Sequence, residues 1–289
     1  MLDYHTHLWV HGGPPSIDAT VELLAGYCDR AAANGVTEIA ITEHLYRFRG
    51  PAESLAGHWD DDADPRLRDQ LRQYWWSETG ADLDRFVEVV LAAKAAGLPV
   101  LLGMEVDHYA GRMDRVADVL RGYPFDVLLG SVHWIGGWGF DILGDPVVDA
   151  EWDARSIESV WDGYTRCLEE LAASGVCDVL AHPDLCKLTG RVPAVPDEWY
   201  DRMAEAAASS GMAAEVSSAG IRKPIGEAYP APPLLARFHA RGVPVTTASD
   251  AHDRSTVADH RPELRALLDS AGYTSIAGYR ARHRYDVAL

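Results

Sequence analysis

The chain has 289 residues, 44 of them acidic and 26 basic, so its formal net charge at neutral pH is −18. This charge repels polyanions and disfavours nucleic acid as a partner. No uninterrupted apolar stretch reaches the roughly 18 residues that a membrane span needs, and the start of the chain has no signal-peptide pattern. We therefore expect a cytoplasmic protein without a membrane segment, in which the four cysteines are reduced thiols.

Short apolar runs that predict β-strands alternate along the chain with segments of helical period. The predicted strands are 2–5, 36–42, 98–104, 126–132, 177–181, 212–217 and 243–249. The predicted helices are 17–33, 82–96, 112–121, 156–174, 197–210 and 232–241. This alternation predicts an α/β protein with a parallel sheet. No linker-like stretch divides the chain, so we expect a single domain over residues 1–289.

Histidines and carboxylates follow nearly all of the predicted strands. His5 and His7 are two residues apart on the first strand, so their imidazoles point to the same face and can share one cation. The later strand ends carry His44, Glu105, His133, His182, Asp250 and His252. Only in a barrel do all these ends converge, because an open sheet collects ligands at a single switch point. We therefore predict a distorted TIM-like barrel, (β/α)7, with the active site at the carboxyl ends of the strands.

The composition of this set indicates the kind of metal site. Histidine and carboxylate ligands without cysteine favour Zn²⁺, Mn²⁺ or Fe²⁺ in a hydrolytic site over a structural zinc site. Glu43 and Asp107 adjoin or lie near the ligands in sequence, and the alternation of side chains along a strand predicts that they point away from the site. Five histidines lack such positions and are expected to be structural: His58, His108, His239, His260 and His283.

Six motifs occur in order between positions 5 and 252. They are HTH at 5–7, TEH at 42–44, GMEVD at 103–107, GSVH at 130–133, AHPDL at 181–185 and SDAH at 249–252. With them the chain resembles the polymerase and histidinol phosphatase (PHP) metal-dependent phosphoesterases, and the segment 218–232 resembles the histidinol-phosphatase branch. The resemblance implies a distorted seven-stranded barrel, in agreement with the predicted strands, and a trinuclear site that holds two or three divalent ions (Zn, Mn or Fe).

The resemblance also implies how the ligands are shared, with Glu105 bridging two of the cations. The implied sets are His5, His7, Glu105 and Asp250 for the first cation, Glu105, His133 and His182 for the second, and His11, His44 and His252 for the third.

The resemblance implies that such a cluster serves a phosphoric monoester hydrolase. Divalent cations lower the pKa of a bridging water, so that a metal-bridging hydroxide forms near neutral pH and attacks phosphorus. The resemblance to the histidinol-phosphatase branch implies hydrolysis of L-histidinol phosphate to L-histidinol and phosphate, a step of histidine biosynthesis. We expect a monomer or small homo-oligomer. Arg222, Asp250 and His252 are the expected catalytic residues.

Basic and aromatic residues near the strand ends are candidates for contact with the substrate. Arg222 can bind phosphate oxygens as a bidentate fork, Lys223 adds a point charge, and Arg47 is a weaker candidate of the same kind. The long connections 45–81 and 134–155 both follow strands at the catalytic end and are candidate lid or specificity loops. The second of them offers residues for the imidazole and the ammonium of the substrate: Trp134, Trp138, Asp141 and Asp145.

Three other readings of the same residues stay open. The first is a PHP phosphoesterase that acts on another small phosphorylated metabolite or nucleotide, because barrel and metals do not select the leaving group. The second is an amidohydrolase-type barrel, which usually needs a modified lysine at a strand end, a position that Lys94, Lys187 and Lys223 do not occupy. The third is a non-catalytic PHP module, which tends to have lost metal ligands.

Overall fold

A computed structural model describes residues 1–15 and 17–289 and contains a seven-stranded parallel sheet in which the strands pair in chain order. The strands are β1 (Asp3–Thr6), β2 (Ile39–Ile41), β3 (Val100–Asp107), β4 (Val127–Ser131), β5 (Val179–Leu180), β6 (Ala213–Ser217) and β7 (Val245–Ala248). Each lies within a predicted run or overlaps it closely. The predicted distorted (β/α)7 barrel is confirmed.

Hydrogen bonds between the first and last strands close the barrel. The backbone N–H of His7 donates to the carbonyl of Ala251 over 2.7 Å. The buried carboxylate of Asp3 accepts from the backbone N–H and the hydroxyl of Ser249, both at 2.7 Å, and from the N–H of Ala258 at 2.8 Å. The ends of β1 and β7 therefore meet, which places His5 and His7 beside Asp250.

Ten helices surround the sheet in the described part of the chain. They are α1 (Val21–Ala33), α2 (Arg49–Leu55), α3 (Pro65–Glu78), α4 (Leu83–Ala95), α5 (Met113–Leu120), α6 (Pro146–Ala154), α7 (Ile157–Ala173), α8 (Asp197–Ser210), α9 (Pro232–Ala240) and α10 (Arg261–Ala271). The six predicted helices are present as α1, α4, α5, α7, α8 and α9. Among residues 1–15 and 17–289, no helix combines the length and the apolar character needed to cross a membrane.

The first long connection is largely helical and the second ends in a helix, which the sequence analysis did not predict. The first contains α2 and α3, and the second contains α6. Asp64 and Asp145 cap α3 and α6 with their side chains, and a proline follows each of them at the first helical position. Aspartate followed by proline is a recognised helix start, so these two pairs were the available signal.

A carboxyl-terminal hairpin was also not predicted. Strands β8 (Ser275–Arg280) and β9 (His283–Ala288) pair antiparallel. The hydroxyl of Tyr279 donates to the carbonyl of Asp178, and the N–H of Arg282 donates to the carbonyl of Asp126. Asp178 and Asp126 each directly precede a barrel strand, so the hairpin covers the amino-terminal end of the barrel and leaves the other end open.

A buried aromatic cluster underlies the first long connection and surrounds His58. The ring of His58 lies 4.9 Å from those of Trp59 and Trp134 and 5.1 Å from those of Trp75 and Tyr109, measured between centroids. Burial, with a smaller contribution from the positive charge of Arg112, lowers the pKa of His58 to about 3. His58 is therefore neutral in the folded protein, and the structural role expected for it agrees with this position.

This lowered pKa predicts a pH dependence of stability. The unfolded chain binds a proton at His58 below about pH 6.5, but the folded protein does so only near pH 3. The free energy of unfolding should therefore fall as the pH drops through this window, by about 1.4 kcal/mol per unit from this residue alone. Urea titrations between pH 6 and 4 should give a shallower pH dependence for His58→Phe than for the wild type. Equal slopes would contradict the prediction.

Candidate metal centre

Glu105 lies at the centre of the carboxyl-terminal end of the barrel. It is the third residue from the end of β3 and is fully buried. One carboxylate oxygen, Oε2, faces three imidazoles and the other, Oε1, faces two. The distances from Oε2 are 2.7 Å to His44 Nδ1, 3.3 Å to His5 Nε2 and 3.5 Å to His7 Nε2, and those from Oε1 are 3.2 Å to His182 Nε2 and 3.4 Å to His133 Nε2. A single carboxylate thus contacts imidazoles from four strand ends.

Asp250 completes one side of this cluster. Its Oδ1 lies 3.6 Å from His5 Nε2, 3.5 Å from His7 Nε2 and 3.6 Å from His252 Nδ1. The backbone of Asp250 is in the left-handed region, with φ of 51°. Arg222 Nη2 donates to the carbonyls of Ser249 at 2.6 Å and of Asp250 at 3.2 Å. The guanidinium of Arg222 therefore supports the strained turn from which the Asp250 carboxylate reaches the cluster.

Four groups of donor atoms are close enough to hold a cation. In each group the donor atoms of three residues lie within 4.8 Å of one another. The groups are His5–His7–Asp250, His5–Glu105–His182, His7–His44–His252 and His44–Asp107–His133. The structure therefore brings together eight of the nine predicted ligands, and it adds Asp107 to the candidates.

The residues present fit divalent cations. Buried polar atoms normally have a hydrogen-bond partner. Within the described residues several donor atoms of the cluster have none: His5 Nε2, His7 Nε2, His44 Nε2, Glu105 Oε2 and His252 Nε2. Free imidazole nitrogens and carboxylate oxygens that converge in this way form a divalent metal-binding site.

The protonation states of several residues also suit cations. Burial would raise the pKa of Glu105, but the neighbouring His44 and His5 hold it well below its usual range. Burial lowers the pKa values of His44 and His252 well below the usual histidine value. An ionised carboxylate and neutral imidazoles are the forms that bind metal. His5, His7 and His133 differ, because neighbouring carboxylates outweigh their burial and raise their pKa values. Metal binding at these imidazoles therefore releases protons.

Three carboxylates contact the outer nitrogens of these imidazoles. Glu215 Oε2 lies 2.8 Å from His5 Nδ1, and Asp107 Oδ1 lies 2.6 Å from His133 Nδ1. Glu43 Oε2 lies 3.6 Å from His7 Nδ1, and its other oxygen accepts from the N–H of Leu8. The contacts of Glu215 and Asp107 are at hydrogen-bond distance and fix the tautomer and orientation of His5 and His133, whereas Glu43 and His7 Nδ1 are too far apart for a hydrogen bond.

The expectation that Glu43 and Asp107 point away from the ligands was therefore wrong. Asp107 is two residues from Glu105 on β3, so alternation along the strand places both side chains on the same face, and the expectation misapplied it. Glu43 turns toward His7 of another strand, a relation that alternation along a single strand cannot reveal. Glu215 was missed because the end of β6 has no histidine. Its position as the acidic residue within the AAEVS strand was the available signal.

His11 lies at the edge of the cluster, outside the four donor groups. Its side chain is 42% exposed, and its ring lies 4.5 Å from that of His252 and 5.1 Å from that of His44. Its Nδ1 is 3.1 Å from Arg47 Nη2 and 3.0 Å from the hydroxyl of Tyr74. A role for His11 as ligand of a third cation stays a prediction.

Arg47 does not occupy the position predicted for it. It is fully buried, and its Nη2 donates to Glu78 Oε2 at 2.8 Å and to the carbonyl of Val10 at 3.1 Å. Glu78 also accepts from the N–H groups of Gly12 and Gly13, at 2.8 Å each. A buried guanidinium needs a carboxylate partner, and the unpredicted helix α3 supplies it. The pair supports the loop that carries His11, so we correct the expected contact between Arg47 and phosphate.

A cavity of about 360 Å³ opens above the cluster, and its walls include Asp141, Leu185, Leu188, Arg222, Lys223 and Tyr229. The predicted positions of Arg222 and Lys223 at the cavity therefore agree with the structure. Trp134 is buried in the aromatic cluster around His58, and its Nε1 donates to the carbonyl of His108. Trp134 does not line the cavity, and its expected contact with substrate is corrected.

The other residues of the connection 134–155 that were predicted to contact substrate also differ in whether they reach the cavity. Trp138 is fully buried, and its Nε1 donates to the carbonyl of Val148. The carboxylate of Asp145 caps α6 and accepts from Gln70. Of the four residues predicted in this connection, only Asp141 reaches the cavity. The indoles of Trp134 and Trp138 are buried in the hydrophobic interior, which keeps both side chains out of the cavity.

Comparison with known protein families identifies the chain. The PHP domain family matches residues 5–219, more than half of the sequence. The chain belongs to the PHP domain family. A PHP relative from Deinococcus radiodurans, whose name is given as probable histidinol-phosphatase, is 37% identical over 184 residues, which cover 62% of this chain and 69% of the relative.

Two solved structures share the fold of this PHP protein. The first is a histidinol phosphate phosphatase from Lactococcus lactis in complex with zinc, L-histidinol and phosphate, with a TM-score of 0.68, 18% identity and coverage of 98% of both chains. The second, from Listeria monocytogenes, is provisionally named a histidinol phosphatase, with a TM-score of 0.72, 18% identity and coverage of 91% of this chain and 99% of its own.

Proposed function

We propose that this PHP protein is a metal-dependent phosphomonoesterase that hydrolyses L-histidinol phosphate to L-histidinol and phosphate. The observation that carries the proposal is the cluster of imidazoles around Glu105, which opens into a cavity beside Arg222 and Lys223. A negatively charged phosphate and a cluster of cations are complementary in charge at that position. The 37% identical relative and the Lactococcus lactis protein, which binds L-histidinol and phosphate, support the choice of substrate.

The residues of the cluster would hold two or three divalent ions, of which zinc, manganese and iron are the candidates. Bound cations of this kind lower the pKa of water near the phosphate and neutralise the charge that would repel a nucleophile. Glu105 and Asp250 contribute negative charge between imidazoles from different strands. Glu215 and Asp107 keep the outer nitrogens of His5 and His133 occupied, so that the inner nitrogens face the cluster.

Arg222 and Lys223 differ in their roles at the phosphate end. The guanidinium of Arg222 is fixed by Asp259, with 2.8 Å and 2.6 Å contacts to its two oxygens, and by the β7 carbonyls. The positive charge of Arg222 is thus paired with Asp259, and both of its Nη groups donate to protein acceptors. The bidentate fork to phosphate expected from the sequence is therefore corrected, and Arg222 holds the turn that carries Asp250. Lys223 makes no ion pair within residues 1–15 and 17–289, so its ammonium is free to bind a phosphate oxygen. We retain Asp250 and His252 as proposed catalytic residues and propose Arg222 as a positioning residue for Asp250. We also propose a cytoplasmic monomer or small homo-oligomer.

Phosphate release from a panel of esters tests this function. Purified protein is analysed for bound metals and assayed with L-histidinol phosphate, p-nitrophenyl phosphate, a nucleoside monophosphate and a phosphodiester. We expect kcat/KM for L-histidinol phosphate to exceed that for each other ester by about 100-fold or more, and chelation to abolish turnover. Preference for another monoester, or activity on the diester alone, would contradict the assignment of the substrate. Full turnover after complete removal of metal would contradict the mechanism.

A further inference from the structure

One carboxylate in the cavity has no hydrogen-bond or ion-pair partner among residues 1–15 and 17–289. Asp141, Asp250 and Asp253 all line the cavity. Asp250 belongs to the metal cluster, and Asp253 accepts from the N–H of Ser255 at 2.8 Å. The carboxylate of Asp141 accepts no hydrogen bond and forms no ion pair within the part of the chain that the structure describes. Because Asp141 is partly buried, its negative charge is only partly solvated and favours a cation in the cavity.

The segment that carries Asp141 is held firmly. Phe140, the preceding residue, is fully buried, and its carbonyl accepts from Trp152 Nε1 at 2.7 Å. The N–H of Ile142 donates to the carbonyl of Gly139 at 3.1 Å, and the N–H of Leu143 donates to the carbonyl of Asp141 at 2.9 Å. These bonds fix the backbone on both sides of Asp141. Because the backbone around Asp141 is already ordered, binding of a ligand to its carboxylate loses little conformational entropy.

Asp141 lines the same cavity as His133 and Asp250 of the metal cluster and as Arg222 and Lys223. It therefore faces the space that the organic part of a substrate would occupy when its phosphate lies at the metal end. A carboxylate on this wall repels a simple phosphate ester, which carries only negative charge. It attracts a phosphate ester that also carries a positive group, and Leu185 and Leu188 add apolar surface for the rest of such a molecule.

We propose that Asp141 binds the protonated amine of the substrate and so selects amine-bearing alkyl phosphates over other phosphomonoesters. This inference rests on the proposed function, because it assumes that phosphate occupies the metal end of the same cavity. Asp141 is then the residue that decides which phosphate esters the protein prefers. The ammonium and the carboxylate form a partly buried, charge-assisted hydrogen bond, whereas the cations bind the phosphate of every ester alike.

The test compares Asp141→Asn with the wild type on two esters that differ only in the amine. These are L-histidinol phosphate and its deamino analogue, imidazolylpropyl phosphate. We expect Asp141→Asn to lower kcat/KM for L-histidinol phosphate by about 10- to 100-fold and to leave that for the deamino ester unchanged or raised. Binding of the product L-histidinol, measured by calorimetry, should weaken by a similar factor. Asp153→Asn, which removes an exposed carboxylate of α6 outside the cavity, is the control and should leave kcat/KM for both esters unchanged.

The outcomes separate this inference from the proposed function. An equal loss on both esters, or a loss of bound metal in Asp141→Asn, would overturn the inference and leave hydrolysis of histidinol phosphate intact. Unchanged discrimination between the esters would also overturn it. If the wild type failed on L-histidinol phosphate but still preferred other amine-bearing phosphates in a manner that depends on Asp141, the inference would stand and the proposed substrate would fall.

Discussion

Replacing Glu105 by glutamine should lower kcat/KM by at least about 1000-fold, equivalent to about 4 kcal/mol of transition-state stabilisation. Glu105 is the residue that contacts all five central imidazoles, and no other carboxylate of the described chain does so. A neutral amide cannot bridge cations, and its NH₂ group points a donor at nitrogens that must bind metal. Steady-state kinetics with metal analysis of the purified variant should show both the loss of turnover and reduced metal content.

Glu215→Gln is the matched control for this change. Its carboxylate contacts His5 Nδ1 and the backbone N–H of His182, and neither is a metal-facing atom. We therefore expect metal affinity to fall by about 10- to 100-fold and turnover to return at saturating metal. Glu105→Gln should not recover in this way. Full metal content and full turnover in Glu105→Gln would show that the cluster is not the catalytic centre.

Replacing Asp3 by alanine should lower the free energy of unfolding by about 3 kcal/mol or more. The Asp3 carboxylate accepts three hydrogen bonds, two from Ser249 and one from the N–H of Ala258, and is almost completely buried. Alanine leaves these donors unsatisfied in the interior at the junction of β1 and β7. Chemical denaturation followed by circular dichroism measures the change.

Asp3→Asn provides the graded comparison, since its amide oxygen can still accept from one of the N–H groups. We expect it to be destabilised less than Asp3→Ala. Because Asp3 closes the barrel on β1, the strand that also carries His5, the alanine variant should also bind metal more weakly. A loss of less than about 1 kcal/mol in Asp3→Ala would mean that the junction is held by the backbone bonds of β1 and β7 alone.

The sequence alone was sufficient to predict the barrel and the residues at the centre of the metal site. Parallel strands covered on both faces appear as continuous apolar runs, and these are local patterns. A barrel forces the carboxyl ends of its strands together, so the side chains that follow each run must converge. This is why His5, His44, Glu105 and His182 could be grouped from sequence and do lie together in the structure.

The surroundings of that centre depended on contacts between distant segments. Whether Arg47 reaches the cavity was decided by Glu78 of α3, and whether Trp134 does was decided by burial against His58 and Trp75. The terminal hairpin was missed because short strands with an exposed outer member carry little hydrophobic periodicity.

The same distinction applies to the partners of the metal-binding side chains. The sequence determined which residues stand at strand ends, because that depends on local pattern. Only the tertiary structure decided that Glu215 meets His5, that Asp107 meets His133, and that Asp141 alone of its connection faces the cavity. The partner of a buried charge is set by packing between elements far apart in the chain, and periodicity within one element carries no information about it.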